Sequence, residues 1–223
     1  MPMASTLPAD PTLDEIRAAL APLIAENAAF DGFSGEALAD AAGRLGVDAD
    51  VARLAFPGGA RDMVDAWFAS VDAAMAGRWP AERLATLKIR ERITTLVETR
   101  IDLLAPHRES LRRALALLAL PTNAPHAAKL GWRAADLMWA LAGDTATDFN
   151  HYSKRTILGA VYGSTMAVFL NDESENCAET RAFLARRIDQ VMRFESWKHR
   201  RAARGIERPS FARFVGRLRY PGR

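Results

Sequence analysis

The chain has 223 residues, 49% of them hydrophobic and 26% charged, with a formal net charge of +3, a balance that excludes a wholly disordered or fibrous protein. Its single cysteine, Cys177, excludes an internal disulfide and a thiolate metal cage. The charge is uneven: from Arg193 onward ten Lys and Arg face only Glu195 and Glu207, a net +8 against −5 for the preceding residues, so an anionic partner is expected at the C-terminus.

Helical spacing of apolar residues runs throughout and no alternating stretch rises above it, which predicts an all-α chain. Residues 1–11 are expected to be a flexible N-terminus. Thr12 is placed to cap a first helix whose opening turn holds Asp14 and Glu15. Ser34 caps a second over Gly35–Leu45, which Gly46 ends, and a third short helix follows Asp48 and stops at Phe56–Pro57–Gly58–Gly59. A longer helix over Ala60–Ala76 closes a first region, 12–76. The bundle of 77–204 begins beyond Trp79–Pro80 with one long helix running to about Leu104. Its Leu84, Leu87, Ile93, Leu96, Val97, Ile101 and Leu104 are spaced for a single buried side. His107–Leu120, ended by Pro121, comes next. The Trp132 helix then follows the Pro125 turn, and a helix containing Ile157–Leu170 is capped by Thr147 or Asp148. A last long helix starts near Asn176 and enters the basic tail, where Pro209 and Ser210 precede a short element in 205–223.

The first ten residues lack Lys, Arg and any long apolar run, so neither a secretory signal nor a transit peptide is expected. The longest apolar stretches, Ala114–Leu120 and Gly159–Leu170, fall short of the ~20 residues that span a bilayer. No G-x-S-x-G elbow occurs, and Phe56–Pro57–Gly58–Gly59 lacks the strand context and lysine of a phosphate loop. His107, His126, His151 and His199 are scattered, with none in a Glu-x-x-His pair. Asp148 and His151 share a helical face but have no nucleophile beside them. No catalytic residue, metal site or cofactor is therefore expected.

The stretch Phe30–Asp31–Gly32–Phe33, Leu38–Ala39–Asp40–Ala41–Ala42–Gly43, Phe56–Pro57–Gly58–Gly59 and Met63–Val64–Asp65–Ala66 resembles the N-terminal domain of TetR transcriptional regulators. That resemblance implies a helix-turn-helix over 12–76 and a ligand pocket in the bundle behind it. The recognition helix, Ala49–Ala55, offers DNA only Arg53, flanked by Asp48 and Asp50. Those carboxylates repel phosphates, so a degenerate helix-turn-helix is expected, and a TetR-type regulator sensing an apolar ligand is the alternative reading.

Leu96–Val97–Glu98–Thr99–Arg100, Pro106, Ala114–Leu120–Pro121, Trp139, Ala142–Gly143–Asp144, Thr147–Asp148–Phe149–Asn150 and Tyr152 extend a second resemblance over roughly Phe30–Arg193. It is to the ubiquinone-biosynthesis accessory family of the coenzyme Q9 type, itself TetR-like in fold. What this implies is a non-enzymatic protein that holds an isoprenoid lipid or quinone intermediate and docks on the di-iron demethoxyubiquinone hydroxylase. A bacterial, cytoplasmic protein peripherally attached to the inner membrane is expected, and a homodimer is compatible with the family. His151 departs from the family pattern, where tryptophan is frequent.

Gly159, Gly163 and Ser164 make room in an otherwise apolar helix, either for a close helix neighbour or for a cavity. The expected lipid wall is Leu96, Arg100, Leu115, Leu118, Leu137, Leu141, Tyr162 and Met166. The expected partner surface is Asp136, Trp139, Asp144, Asp148, Phe149, Asn150, His151, Tyr152 and Arg155, aromatics among charges as at interface centres. The bland alternative is that Asp144 and Asp148 satisfy helix ends and that Arg155 pairs with one of them. In the tail, Phe211, Phe214, Val215 and Leu218 fall at i, i+3, i+4, i+7, with Arg213 and Arg217 on the other side. That pattern suits an interfacial helix on anionic lipids, or else one packed on the body.

Overall fold

The computed structural model describes residues 7–145 and 149–203; the side chains of 149–150 and 194–203 lie outside the description. The chain divides into two compact units, Met1–Leu184 and Ala185–Arg223. Among the described residues every regular element is helical. The second unit carries the later part of the last helix, as far as Ala203.

In the first unit the chain opens with α1, Leu13–Asp31. Thr12 Oγ1 accepts the Glu15 amide at 3.3 Å while the Thr12 amide donates to the Glu15 carboxylate at 2.9 Å, a reciprocal cap that satisfies two otherwise orphaned donors. Ser34 caps α2 (Gly35–Leu45), which ends on Gly46 in the left-handed region at φ 67°. Asp48 accepts from the amides of Asp50 and Val51 to start α3, Ala49–Ala55. The turn before α4 (Ala60–Arg78) is locked by Arg17 of α1. Its guanidinium donates to the carbonyls of Ala55 at 3.0 Å and Asp62 at 2.9 Å and lies over the Phe56 ring. These four helices share a core that includes Leu20, Ile24, Phe33, Leu38 and Trp67, and α1 also packs on α7 of the bundle.

The helix expected from Pro80 to Leu104 is two helices, α5 (Ala81–Ala85) and α6 (Ile89–Leu104). The spacing of apolar residues continues across the break, which is why pattern alone reads straight through it. Thr86 Oγ1 turns back onto the Arg83 carbonyl, Lys88 is extended at ψ 153°, and its amide donates to Glu91 rather than to a preceding turn. Arg92 then donates to the carbonyls of Ala85, Leu87 and, across the fold, Ala142, so the interrupted backbone acceptors keep partners.

After a 3₁₀ turn, α7 covers Arg108–Leu118, and a second 3₁₀ turn at Pro121–Asn123 leads into α8, Ala124–Leu141, with Pro125 in its first turn. Helix α9 spans Phe149–Phe169, and α10, Ala178–Ala203, follows a 3₁₀ turn at Glu175–Cys177. Packing of α6, α7 and α9 against α8, and of α4 against α6 and α8, forms the bundle. Its core includes Met75, Leu96, Ile101, Leu104, Met138 and Phe169. The start of α10 is tied to α9 by Asp172, whose buried carboxylate accepts from the amides and hydroxyls of both Ser174 and Thr180. Burial alone would raise the Asp172 pKa, but these hydrogen bonds from Ser174 and Thr180 outweigh it and hold the carboxyl far below the usual carboxylate range.

Candidate functional site

Helices α4, α6, α7, α8 and α9 line a half-open cavity of about 370 Å³, within the roughly 300–1,000 Å³ range of small-molecule pockets. Leu111, Leu115 and Leu118 of α7, Leu130 and Ala134 of α8, Met166 of α9 and Phe68 of α4 supply most of its wall. The room comes from small residues. Gly131 of α8 and Gly159 and Gly163 of α9 border the space, and a Cβ at any of the three would meet nothing within 4 Å.

One end of the cavity is polar. The Arg100 guanidinium is buried and donates from Nε to the Tyr162 hydroxyl oxygen at 3.0 Å and from Nη1 to Asp72. Asp72 also accepts from Arg133 Nε at 3.1 Å, and Arg133 pairs in turn with Asp65. Burial alone would lower the Arg100 pKa; Tyr162 and Asp72 outweigh that cost and raise it above the ordinary arginine value, so the group is cationic at every physiological pH. Two arginines and two aspartates leave this network without net charge.

The junction between α8 and α9 is built from local rules. The amide of Gly143 donates to Ala140 O and that of Asp144 to Trp139 O, both at 3.0 Å, the paired bonds of a Schellman cap. Gly143 sits at φ +86°, and a Cβ there would come within 3.3 Å of Arg92. The cap aims the Asp144 carboxylate at α9. It accepts from Lys154 at 2.7 Å and from Arg155 Nη1 at 3.1 Å, while Arg155 also pairs with Asp136 and donates to the His151 carbonyl. Asp144 and Arg155 are 5% and 4% exposed, and Asp136 is 48% exposed. Trp139 donates to the Lys154 carbonyl at 3.1 Å. Beside this clamp lies an aromatic trio. Trp132 stands 6.0 Å from Tyr152 and 6.4 Å from His151, whose ring is 5.2 Å from Tyr152. Trp132 and Tyr152 are both exposed, at 38% and 60%.

Residues 124–195 match the COQ9 family model. They begin at the first residue of α8 and take in the junction, α9 and most of α10. Human ubiquinone biosynthesis protein COQ9, mitochondrial, is 42% identical over 96 residues, 43% of this chain and 30% of that protein. The Xenopus tropicalis protein of the same name is 31% identical over 168 residues, 72% of this chain and 53% of its own length. This chain is COQ9-like. The matched stretches span between about a third and half of these relatives' lengths. The fold is that of the TetR regulators. A TetR transcriptional regulator from Nitrosomonas europaea superposes with a TM-score of 0.63 at 28% identity, covering 78% of this chain and 97% of that one.

The fold brings together only part of the expected sites. Of the expected lipid wall, Arg100, Leu115, Leu118, Tyr162 and Met166 line the cavity. Leu96, Leu137 and Leu141 do not: Leu96 is sealed in the core, and the other two sit half-buried on α8 away from the lining. Of the expected partner surface, Asp136, His151 and Tyr152 reach solvent, Trp139 is half-buried over Lys154, and Asp144 with Arg155 is turned inward as a clamp. Arg155 pairs with Asp144, as the bland alternative expected, and with Asp136 as well. Asp148 lies outside the described residues, as do the side chains of Phe149 and Asn150, and as do Phe211, Arg213, Phe214, Val215, Arg217 and Leu218. The exposed Trp132 was not among the expected interface residues. Among the described residues no group of His, Cys, Asp and Glu is arranged to hold a metal, and no helix is long and apolar enough to cross a membrane. In α3, Arg53 is ion-paired with Asp50 one turn away.

Proposed function

We propose that this chain is a non-enzymatic, lipid-binding accessory protein of ubiquinone biosynthesis. In this reading the cavity takes up an isoprenoid quinone intermediate. The Trp132–His151–Tyr152 surface docks on the di-iron demethoxyubiquinone hydroxylase, and the basic tail reaches the anionic inner membrane of a bacterium. The observation that carries the reading is an apolar cavity whose α8 and α9 walls, with the aromatic trio beside them, fall inside the COQ9-like segment. Relatives named for ubiquinone biosynthesis supply the pathway. An extended polyprenyl chain costs about 25 cal/mol per Å² of apolar surface left in water, so a sheltered cavity lowers the barrier to leaving the bilayer. Pull-down of the purified hydroxylase tests the docking half. Trp132→Ala and Tyr152→Ala are each expected to weaken binding by ~30-fold or more, as interface anchors do, with unchanged melting. Wild-type affinity in both variants would overturn it.

The second reading is a TetR-type regulator, favoured by the likeness to the Nitrosomonas europaea protein. Against it stands α3, where Asp50 neutralises Arg53 and Asp48 adds a further negative charge. It predicts sequence-specific duplex binding released by an apolar ligand; weak, salt-sensitive and sequence-blind binding would remove it.

A further inference from the structure

The polar end of the cavity has donors that no described residue receives. Arg100 and Tyr162 are the polar members of its lining. Arg100 is 2% exposed, and with Nε on Tyr162 and Nη1 on Asp72 its Nη2 donates to no described residue. Tyr162 accepts from Arg100 through its oxygen and so keeps its own proton to give. Both residues border the same apolar space. At its rim the lining residues Ala119, Gly163 and Ala167 are exposed, whereas Arg100 lies buried.

A plain hydrocarbon in this cavity would strip water from two donors and return nothing, and a site that holds unpaired polar groups discriminates against such a ligand. A carboxylate or phosphate head meets a different obstacle. Asp72 and Asp65 already balance Arg100 and Arg133, so an anion would add an uncompensated buried charge. We infer that Arg100 and Tyr162 form a head-group subsite for a neutral oxygen acceptor, such as the carbonyl or methoxy oxygens of a quinone ring, and that the ligand enters head first with its tail leaving past Gly163. This rests on the lipid-binding reading above and adds to it an orientation and a selectivity.

Three probes with the same two-isoprene tail separate the possibilities: a benzoquinone, the hydrocarbon and the carboxylic acid, titrated calorimetrically into the delipidated full chain. Wild type is expected to bind the quinone about tenfold more tightly than the hydrocarbon, as one net hydrogen bond provides, and more tightly than the acid. Tyr162→Phe is expected to lose most of that preference, binding the quinone more weakly and the hydrocarbon at least as tightly as wild type does. Equal affinity of wild type for quinone and hydrocarbon, or a preference that survives in Tyr162→Phe, overturns the subsite and leaves the lipid pocket standing. Tightest binding of the acid overturns the neutral head. Binding of none of the probes overturns the pocket itself. Should Tyr162→Phe fail to fold, the wild-type comparison alone decides.

Discussion

Asp144 and Asp136 both pair with Arg155, yet their replacement should have very different consequences. In Asp144→Ala the Lys154 ammonium and a nearly inaccessible guanidinium lose the carboxylate that neutralises them. Removing one partner of a buried pair costs about 3–5 kcal/mol. Because Arg155 keeps Asp136 and the His151 carbonyl, the lower end applies, about 3 kcal/mol. Asp136 is half in water, and its removal leaves the Asp144 contact intact, so Asp136→Ala falls among the surface pairs at about 0–1 kcal/mol. For a chain of this size each kcal/mol shifts Tm by roughly 2–4 °C. Asp144→Ala should therefore melt ~6–12 °C below wild type and Asp136→Ala no more than ~4 °C below it, read by circular dichroism at neutral pH. Equal, small losses in the two variants would refute the clamp and return Asp144 to a surface role.

At the mouth of the cavity, Gly163→Leu puts a branched side chain where a Cβ meets only open space. Relief of the glycine helix penalty, up to ~1 kcal/mol, should leave Tm equal or higher while lipid recovered by extraction falls several-fold; unchanged lipid would place the entrance elsewhere. Asp172 links stability to acid. Its native pKa is depressed, so its contribution is fully present above its unfolded value of about 3.9 and is lost progressively as pH falls below that toward the native value. The gap in denaturation midpoint between wild type and Asp172→Asn should be constant above about pH 5 and shrink steadily below pH ~4, and a gap independent of pH would contradict this. Deleting Ser210–Arg223 removes four of the tail's arginines together with Phe211 and Phe214 of the interfacial pattern. It should reduce sedimentation with anionic vesicles, most at low salt, and undiminished binding would assign membrane contact to another surface.

Much of the fold is written locally. Thr12, Ser34, Gly46 and Asp48 announce helix ends because caps depend on residues three or four apart. The break at Thr86–Lys88 is not announced, since neither Pro nor Gly marks it and the carbonyl partners come from Arg92, beyond the break. The cavity was legible through Gly159 and Gly163, whereas Leu96 shows the limit of periodicity, which gives a buried face without saying whether that face meets space or another side chain. The Arg100–Asp72–Arg133 network joins residues 28 and 61 positions apart, and no local spacing encodes such a pairing. Trp132 joins Tyr152 only through the crossing of α8 and α9. The aromatic content of both helices was visible, but not their register.

Lipid carried by the purified protein is the direct readout of what the cavity holds. Protein purified from its own host under mild conditions, extracted with organic solvent and analysed by mass spectrometry, should yield an isoprenoid quinone intermediate, and the yield should drop for Gly163→Leu. Protein that is folded, with wild-type melting, and carries no isoprenoid or other lipid would contradict lipid binding in the cavity.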